Sequence, residues 1–199
     1  GLVNITVLAA GSIFTGSVHE PIKGTKNPQK MLQTGIPFTK KPVALQFDYK
    51  VKMSDRENRI RATGFSKITD VPGKDYPAAI LLLQKRWEDA NGNVYAKRIG
   101  TMVTYYYHST DWKNNVTYEI MYGDITNRPE YKAHMMRLQA TESYTVNSKG
   151  ESVPIHEVAW GDENDVPTHM YIQFTSSHGG AYIGSPGNTL WVDNVKLVY

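Results

Sequence analysis

The chain has 199 residues, of which 40% are hydrophobic, a net charge of +3 and no cysteine. That length and apolar content suffice for one sizeable core, so a single domain over residues 1–199 is expected. The lack of cysteine excludes disulfides, a thiol nucleophile and a thiolate zinc site. The 22 basic residues are scattered rather than striped, which argues against a nucleic-acid partner, and no apolar run is long enough for a transmembrane helix. The first residues lack the charged and apolar regions of a leader. A start at Gly1 is compatible with a leader or lipid anchor having been removed, and a membrane enters only through such an anchor.

Residues 2–8 are β-rich and run into the glycine-punctuated segment Ala9 to Gly16. Residues 19–35, with two prolines, two glycines and three lysines, have loop composition. The clearest strand is Val43 to Met53, where Val43, Leu45, Phe47, Tyr49, Val51 and Met53 alternate with polar or small residues. Such alternation indicates a sheet with one packed and one solvated face, hence an antiparallel sheet rather than a parallel α/β one. A weaker strand around Ile60, Ala62 and Gly64 is expected to form a hairpin with it. The continuous apolar run Ala78 to Leu83 predicts a central strand. The Asn91-Gly92 step then predicts a tight type I′ turn, pairing residues 79–88 with 93–107.

Alternation returns in residues 116–122 and again at Met170, Ile172 and Phe174. Between these stretches, Glu130 to Gln139 carries the pattern of a short helix, with Pro129 before it and Tyr131, Met135 and Leu138 on one face. In the closing stretch, Leu190 and Val192 keep one phase, whereas Val195, Leu197 and Tyr199 keep the other. A β-bulge near Asp193-Asn194 absorbs the extra residue.

This last stretch, Ser176 to Tyr199 (SSHGGAYIGSPGNTLWVDNVKLVY), resembles the C-terminal signature of the putative carbohydrate metabolism domain family of bacterial envelope proteins. The likeness extends to Gly35-Ile-Pro-Phe-Thr-Lys-Lys-Pro42 and to Thr110-Asp-Trp112. It implies an all-β fold, an antiparallel jelly-roll sandwich like that of galactose-binding domains and carbohydrate-binding modules, in a protein of the cell envelope or secreted, concerned with polysaccharide use. The interval Gly123 to Pro167 departs from the family pattern as an insertion, and long insertions on a rigid sandwich tend to carry function.

Aromatic residues make up 11% of the chain, and flat rings stack on the C–H faces of sugars. The candidate ligand-binding residues are Tyr105 and Tyr107 in the Tyr105-Tyr106-Tyr107 run, Trp112 just after it, Trp160 beside the acidic loop 162–165, and His178 and Tyr182 in the glycine-rich loop. In that run either Tyr105 and Tyr107 or Tyr106 alone packs in the core. Trp160 is as well read as a buried ring beside a solvated turn. Asp193 at the bulge resembles the aspartate that helps hold a structural calcium in many carbohydrate-binding jelly rolls, a site that needs six to eight oxygens. No other cofactor is expected. The histidines form no HExxH or similar ligand pair, and no nucleophile elbow or phosphate loop occurs. Glu119, Glu142, Glu157, Asp162 and Glu163 are acids from which a glycosidase pair could come, but their separation in space is not legible. The leading expectation is a non-catalytic glycan-binding module. The alternatives are a structural or protein-interaction module of the envelope, and a glycoside hydrolase.

Overall fold

A computed structural model describes residues 6–19, 27–64, 67–139 and 142–199. The strands in chain order begin with β1 (Ser12–Phe14), β2 (Gly16–Val18), β3 (Leu32–Thr34), β4 (Ile36–Pro37) and β5 (Ala44–Lys52). They continue with β6 (Arg59–Arg61), β7 (Thr69–Val71), β8 (Ala78–Glu88), β9 (Val94–Tyr105), β10 (Thr110–Glu119) and β11 (Met121–Tyr122). The last five are β12 (Tyr144–Val146), β13 (Ser152–Trp160), β14 (His169–Thr175), β15 (Ile183–Gly184) and β16 (Thr189–Val198).

The largest sheet runs in the order β1-β14-β8-β9-β13-β12-β3-β2, with β11 added beside β9 and β4 beside β14. Against it packs the three-stranded sheet β10-β5-β16, and a small sheet β15-β6-β7 joins the signature loop to the fifties loop. The core lies between the two principal sheets. Leu45, Phe47 and Val51 of β5 meet Leu81 and Leu83 of β8 and Ile172 and Phe174 of β14 there, all buried. Phe47 sets its ring edge-on to Phe174, with centroids 4.9 Å apart, and stacks on Tyr118 at 5.2 Å. The all-β sandwich expected from the sequence is therefore present, and Tyr106 is the member of the tyrosine run that enters the core, at 6% exposure.

The opposite face of the large sheet is buried too. Ile80, Leu82 and Val103 pack under Met135, Met136, Tyr105 and Tyr171. Coverage on both faces explains why residues 78–83 read as an unbroken apolar run. The cover comes from the 123–167 interval, which the sequence marks as an insertion. Its first half forms a chain of turns, and the described residues hold no α-helix, so the helix expected over 130–139 does not form. Its apolar residues face the sheet from turns, an arrangement that helical spacing also mimics. Its second half supplies β12 and β13, and β13 runs parallel to β9 while β12 runs parallel to β3, two departures from the antiparallel expectation.

A fully buried ion pair docks this cover. Arg98 (0% exposed) donates through Nε to Glu157 at 2.8 Å and through Nη2 to the other carboxylate oxygen. Glu157 also accepts from the Gln84 side chain at 2.6 Å and from the Gln139 amide at 2.8 Å. Arg98 spends its remaining donors on the carbonyls of Met136 at 2.9 Å and Arg137 at 3.3 Å. One carboxylate and one guanidinium thus tie β8, β9, β13 and the covering loop together, with all three guanidinium nitrogens and both carboxylate oxygens hydrogen-bonded.

Two further expectations change. The β6 segment does not form a hairpin with β5, because both edges of β5 are occupied by β10 and β16, and β6 pairs with β7 and β15 instead. The β8–β9 hairpin forms, but not through a type I′ turn. The Asp89 amide bonds the Asn93 carbonyl at 3.0 Å, and within the turn Gly92 has positive φ, at 91°, whereas Asn91 does not. This is a three-residue loop with glycine at the left-handed position. Asp89 stabilises it by accepting the amides of Asn91 and Asn93, both at 2.9 Å.

Two stability measurements follow from this packing. Glu157→Ala leaves the Arg98 charge buried without its partner and is expected to cost about 3–5 kcal/mol in urea denaturation. The double variant Arg98→Met/Glu157→Leu should cost less than that single change. The second concerns His169, whose imidazole is pushed down to about 4 by burial and by the Arg86 charge, from an ordinary 6.5. The unfolded chain therefore takes up this proton first as the pH falls, so the stability contributed by neutral His169 is complete above pH 6.5. It declines between 6.5 and 4 and falls no further below. His169→Gln is expected to flatten that slope, by about 1–2 kcal/mol after allowance for partial exposure, in denaturation curves at pH 7 and 4.5.

Candidate functional site

The glycine-rich signature loop is suspended from one aspartate. Asp75 is 1% exposed and accepts the His178 amide at 3.2 Å, the Ser185 amide at 2.9 Å and the Asn188 side-chain amide at 3.4 Å, with the His178 imidazole 3.1 Å away. Burial pushes this carboxyl up, but hydrogen bonds from His178, Ser177 and the Ser185 amide outweigh it and hold it below the usual carboxylate value. At Gly184 a Cβ would approach the Ser177 hydroxyl to 2.9 Å, so a larger residue there would have to displace that side chain.

Beside this clamp the rings of His134, Tyr105, His178 and Tyr76 form a column. His134 stacks on Tyr105 at 4.7 Å, His178 packs on Tyr105 at 4.8 Å, and Tyr76 stacks on His178 at 5.6 Å. Tyr107 closes the column edge-on to Tyr76 at 4.7 Å, with its hydroxyl 3.4 Å from His134 Nδ1. Burial, and then the Lys132 charge, lowers the His134 pKa. Three predicted residues, Tyr105, Tyr107 and His178, are thus brought together. The two imidazoles take up the faces of Tyr105, however, so this column joins the covering loop to the signature loop instead of presenting a flat ring to a sugar.

Two others of the predicted set are engaged elsewhere. The Trp160 ring lies 5.5 Å from the guanidinium of Arg98, roofing the buried ion pair. Tyr182 adopts φ 62° and gives its carbonyl to the Ala62 amide at 3.0 Å. Among the candidate acids, Glu157 is consumed by Arg98. A cleft of about 530 Å³ opens between β1 and β16 along the signature loop. Its hydroxyls largely bond one another or the backbone: Ser12 donates to Thr175 at 2.9 Å, and Ser176 accepts the Gly11 amide at 3.1 Å.

The outward face of the β10-β5-β16 sheet has a different character. Asp48 at its centre accepts the Asn115 amide through one oxygen at 2.5 Å and the Asn194 side-chain amide through the other at 2.7 Å. Asn115 and Asn194 both have φ 52°, and both sit at breaks in strand register, on β10 and on β16. The bulge expected near Asp193-Asn194 therefore exists and has a twin across β5. The bonds from Asn115 and Asn194 hold the Asp48 carboxyl below its usual pKa. Asp193 is exposed and accepts the Asn194 amide at 2.7 Å. Around Asp193 the neighbouring carboxylate oxygens already take N–H donors, and no group of three potential metal-ligating side chains occurs among the described residues. A structural calcium at Asp193, which needs six to eight oxygens, would therefore take most of its ligands from backbone carbonyls.

Two residue pairs along from Asp48, Trp191 pairs with Lys50, and on the other side the break in register between Thr110, opposite Val51, and Lys113, opposite Tyr49, puts Asp111 and Trp112 together across from Lys50. Both indoles are exposed, Trp112 at 47% and Trp191 at 40%, and the Lys50 ammonium lies 5.7 Å from the Trp191 ring centre. At about 4.8 Å between neighbouring strands, the two tryptophans rise from backbones roughly 10 Å apart. Farther along the same face, Gln46 donates to the Thr117 hydroxyl at 2.9 Å, and Lys196 pairs with Gln46. Of this constellation the sequence singled out Trp112 and Asp193. It missed Lys50 and Trp191, whose signal was the outward phase they share on adjacent strands.

The family described as putative carbohydrate metabolism domain matches residues 1–198. Two solved structures are similar. One is described as a putative glycoside hydrolase from Bacteroides thetaiotaomicron, with 20% identity and TM-score 0.55, covering 96% of this chain and 47% of that one. The other is described as a putative glycoside hydrolase from Bacteroides vulgatus, with 16% identity and TM-score 0.51, covering 96% of this chain and 64% of that one. At such identities the likeness is one of fold, and this chain spans less than two thirds of each. No curated protein matches the chain.

The Asp75 clamp is open to a direct measurement. Asp75→Ala strands the buried amides it satisfies and should cost about 2–4 kcal/mol. Hydrogen exchange of residues 178–185 is expected to accelerate more than that of β8 and β9, and equal acceleration throughout would contradict the local role.

Proposed function

Because the chain belongs to the putative carbohydrate metabolism domain family, we propose that it is a non-catalytic glycan-binding module, of a bacterial envelope or secreted protein, that takes a saccharide chain on the outward face of β10-β5-β16. The observation that carries this reading is the pair of exposed indoles, Trp112 and Trp191, rising from the two strands that flank Lys50 on one open face. Two exposed rings on one face offer a surface that the C–H face of a pyranose can cover. Gln46, Thr117, Asn194 and Asp193 on the following rows supply the planar and hydroxyl groups that hydrogen-bond sugar hydroxyls.

Binding rather than hydrolysis is favoured by the disposition of the acids. Hydrolysis in most glycosidases uses two carboxylates facing each other across the scissile bond. On this face Asp48 and Asp193 instead sit side by side in register on neighbouring strands, and both oxygens of Asp48 are bonded to N–H donors.

The test is affinity electrophoresis and calorimetry of the folded protein against a panel of bacterial and plant polysaccharides. Removing each stacking ring is expected to weaken binding roughly tenfold, so Trp112→Ala and Trp191→Ala should each lose affinity while Tyr107→Ala stays within about twofold. Binding that survives the double tryptophan variant with its circular dichroism unchanged would sink the proposal.

A further inference from the structure

We infer that the glycan held by this face is acidic, a uronic-acid polysaccharide whose carboxylate meets Lys50 between the two tryptophans. The inference rests on the platform reading above and adds the ligand's charge. Lys50 stands in the middle of the aromatic row, half-buried, with Trp191 opposite it in register and Trp112 on the other side. Its ammonium has an indole ring 5.7 Å away, yet among the described residues it forms no ion pair and no hydrogen bond. Other lysines do find carboxylates: Lys85 reaches Asp165 at 2.9 Å and Lys74 reaches Glu57 at 3.5 Å.

Of the acids near Lys50, Asp111 falls with Trp112 in the β10 bulge opposite it yet forms no ion pair with it, and the other two are engaged elsewhere. Both oxygens of Asp48 accept N–H donors from the two bulges, and Asp193 accepts the Asn194 amide. Glu119 lies at the far end of the face, opposite Ala44. Two more cations share the outward phase: Lys52, paired with Thr189, and Lys196, paired with Gln46, whose charge is felt by Asp48. A cation over an aromatic ring keeps its attraction to that ring while its N–H donors stay free. A sugar carboxylate arriving there forms a charge-assisted hydrogen bond as its ring stacks on the indole, and a neutral pyranose gains the stacking alone.

The experiment compares the unmodified protein, Lys50→Met and the Trp112→Ala/Trp191→Ala double variant by affinity electrophoresis in gels containing polygalacturonate, alginate, neutral β-glucan or dextran sulfate. Methionine keeps the apolar stem against Trp191 and removes the charge. The expected result is retardation by a polyuronate that weakens about tenfold in Lys50→Met, weakens with added salt, and disappears in the double variant. Neutral β-glucan should bind more weakly and respond little to Lys50→Met. Equal retardation by neutral glucan, unchanged in Lys50→Met but lost in the double variant, overturns the acidic ligand and leaves the platform standing. Retardation by dextran sulfate that matches the polyuronate and survives the double variant overturns it as nonspecific polyanion binding. No retardation by any glycan removes the platform and this inference together.

Discussion

The constraint on which the rest of the molecule depends is the ion pair between Arg98 and Glu157, sealed between the large sheet and the turns that cover it. Removing two charges from water is expensive, and a buried pair is weak evidence of net stability. Its contribution is positional. Glu157 has to arrive on β13, parallel to β9, for Arg98 to be neutralised, and the carbonyls of Met136 and Arg137 have to descend onto the guanidinium. An apolar cover could slide on the sheet, whereas this one has a single register in which its polar groups are matched. With that side of the sandwich closed, the outward face of β10-β5-β16 is left solvated, and it carries the exposed Trp112 and Trp191.

Two other aspartates repeat this logic on a smaller scale. Asp75 and Asp48 are both largely withdrawn from solvent, and both are satisfied mainly by amide groups. Asp75 gathers the two ends of a glycine-rich loop whose middle pairs with β6, and Asp48 gathers two strand bulges into one row. In each case a single carboxylate fixes a stretch of backbone whose own conformational preferences are loose. The chain thus uses carboxylates as internal anchors, and Glu157, a catalytic candidate in one dimension, is one of them in three.

The sandwich was legible because β5, β10 and β14 alternate cleanly and because residues 78–83 are apolar on both phases. The bulge on β16 was legible from a phase break within one strand. Its twin at Asn115 was not, since Lys113 to Asn115 offers no apolar alternation against which a slip would register. The helix at 130–139 failed for a related reason: Met135 and Met136 reach the sheet from turns, and apolar spacing alone does not separate turns from a helix. Tyr105 and His178 were found by composition, but their mutual stacking through His134 and Tyr76 depends on four segments distant in sequence. Trp191 and Lys50 are 141 positions apart and meet only through the β5–β16 register, which no local pattern encodes.

The twin bulges also bear on solubility. Among the described residues the ten-residue strand β16 pairs on one side only, with β5, and a long flat edge of that kind invites another chain to add a strand and begin aggregation. Asn194 interrupts it. A left-handed residue in mid-strand breaks the ladder of donors and acceptors and increases the local twist, so a second copy cannot lie along the full edge in register. The same irregularity that aligns Asp48 with its neighbours therefore also blunts the edge.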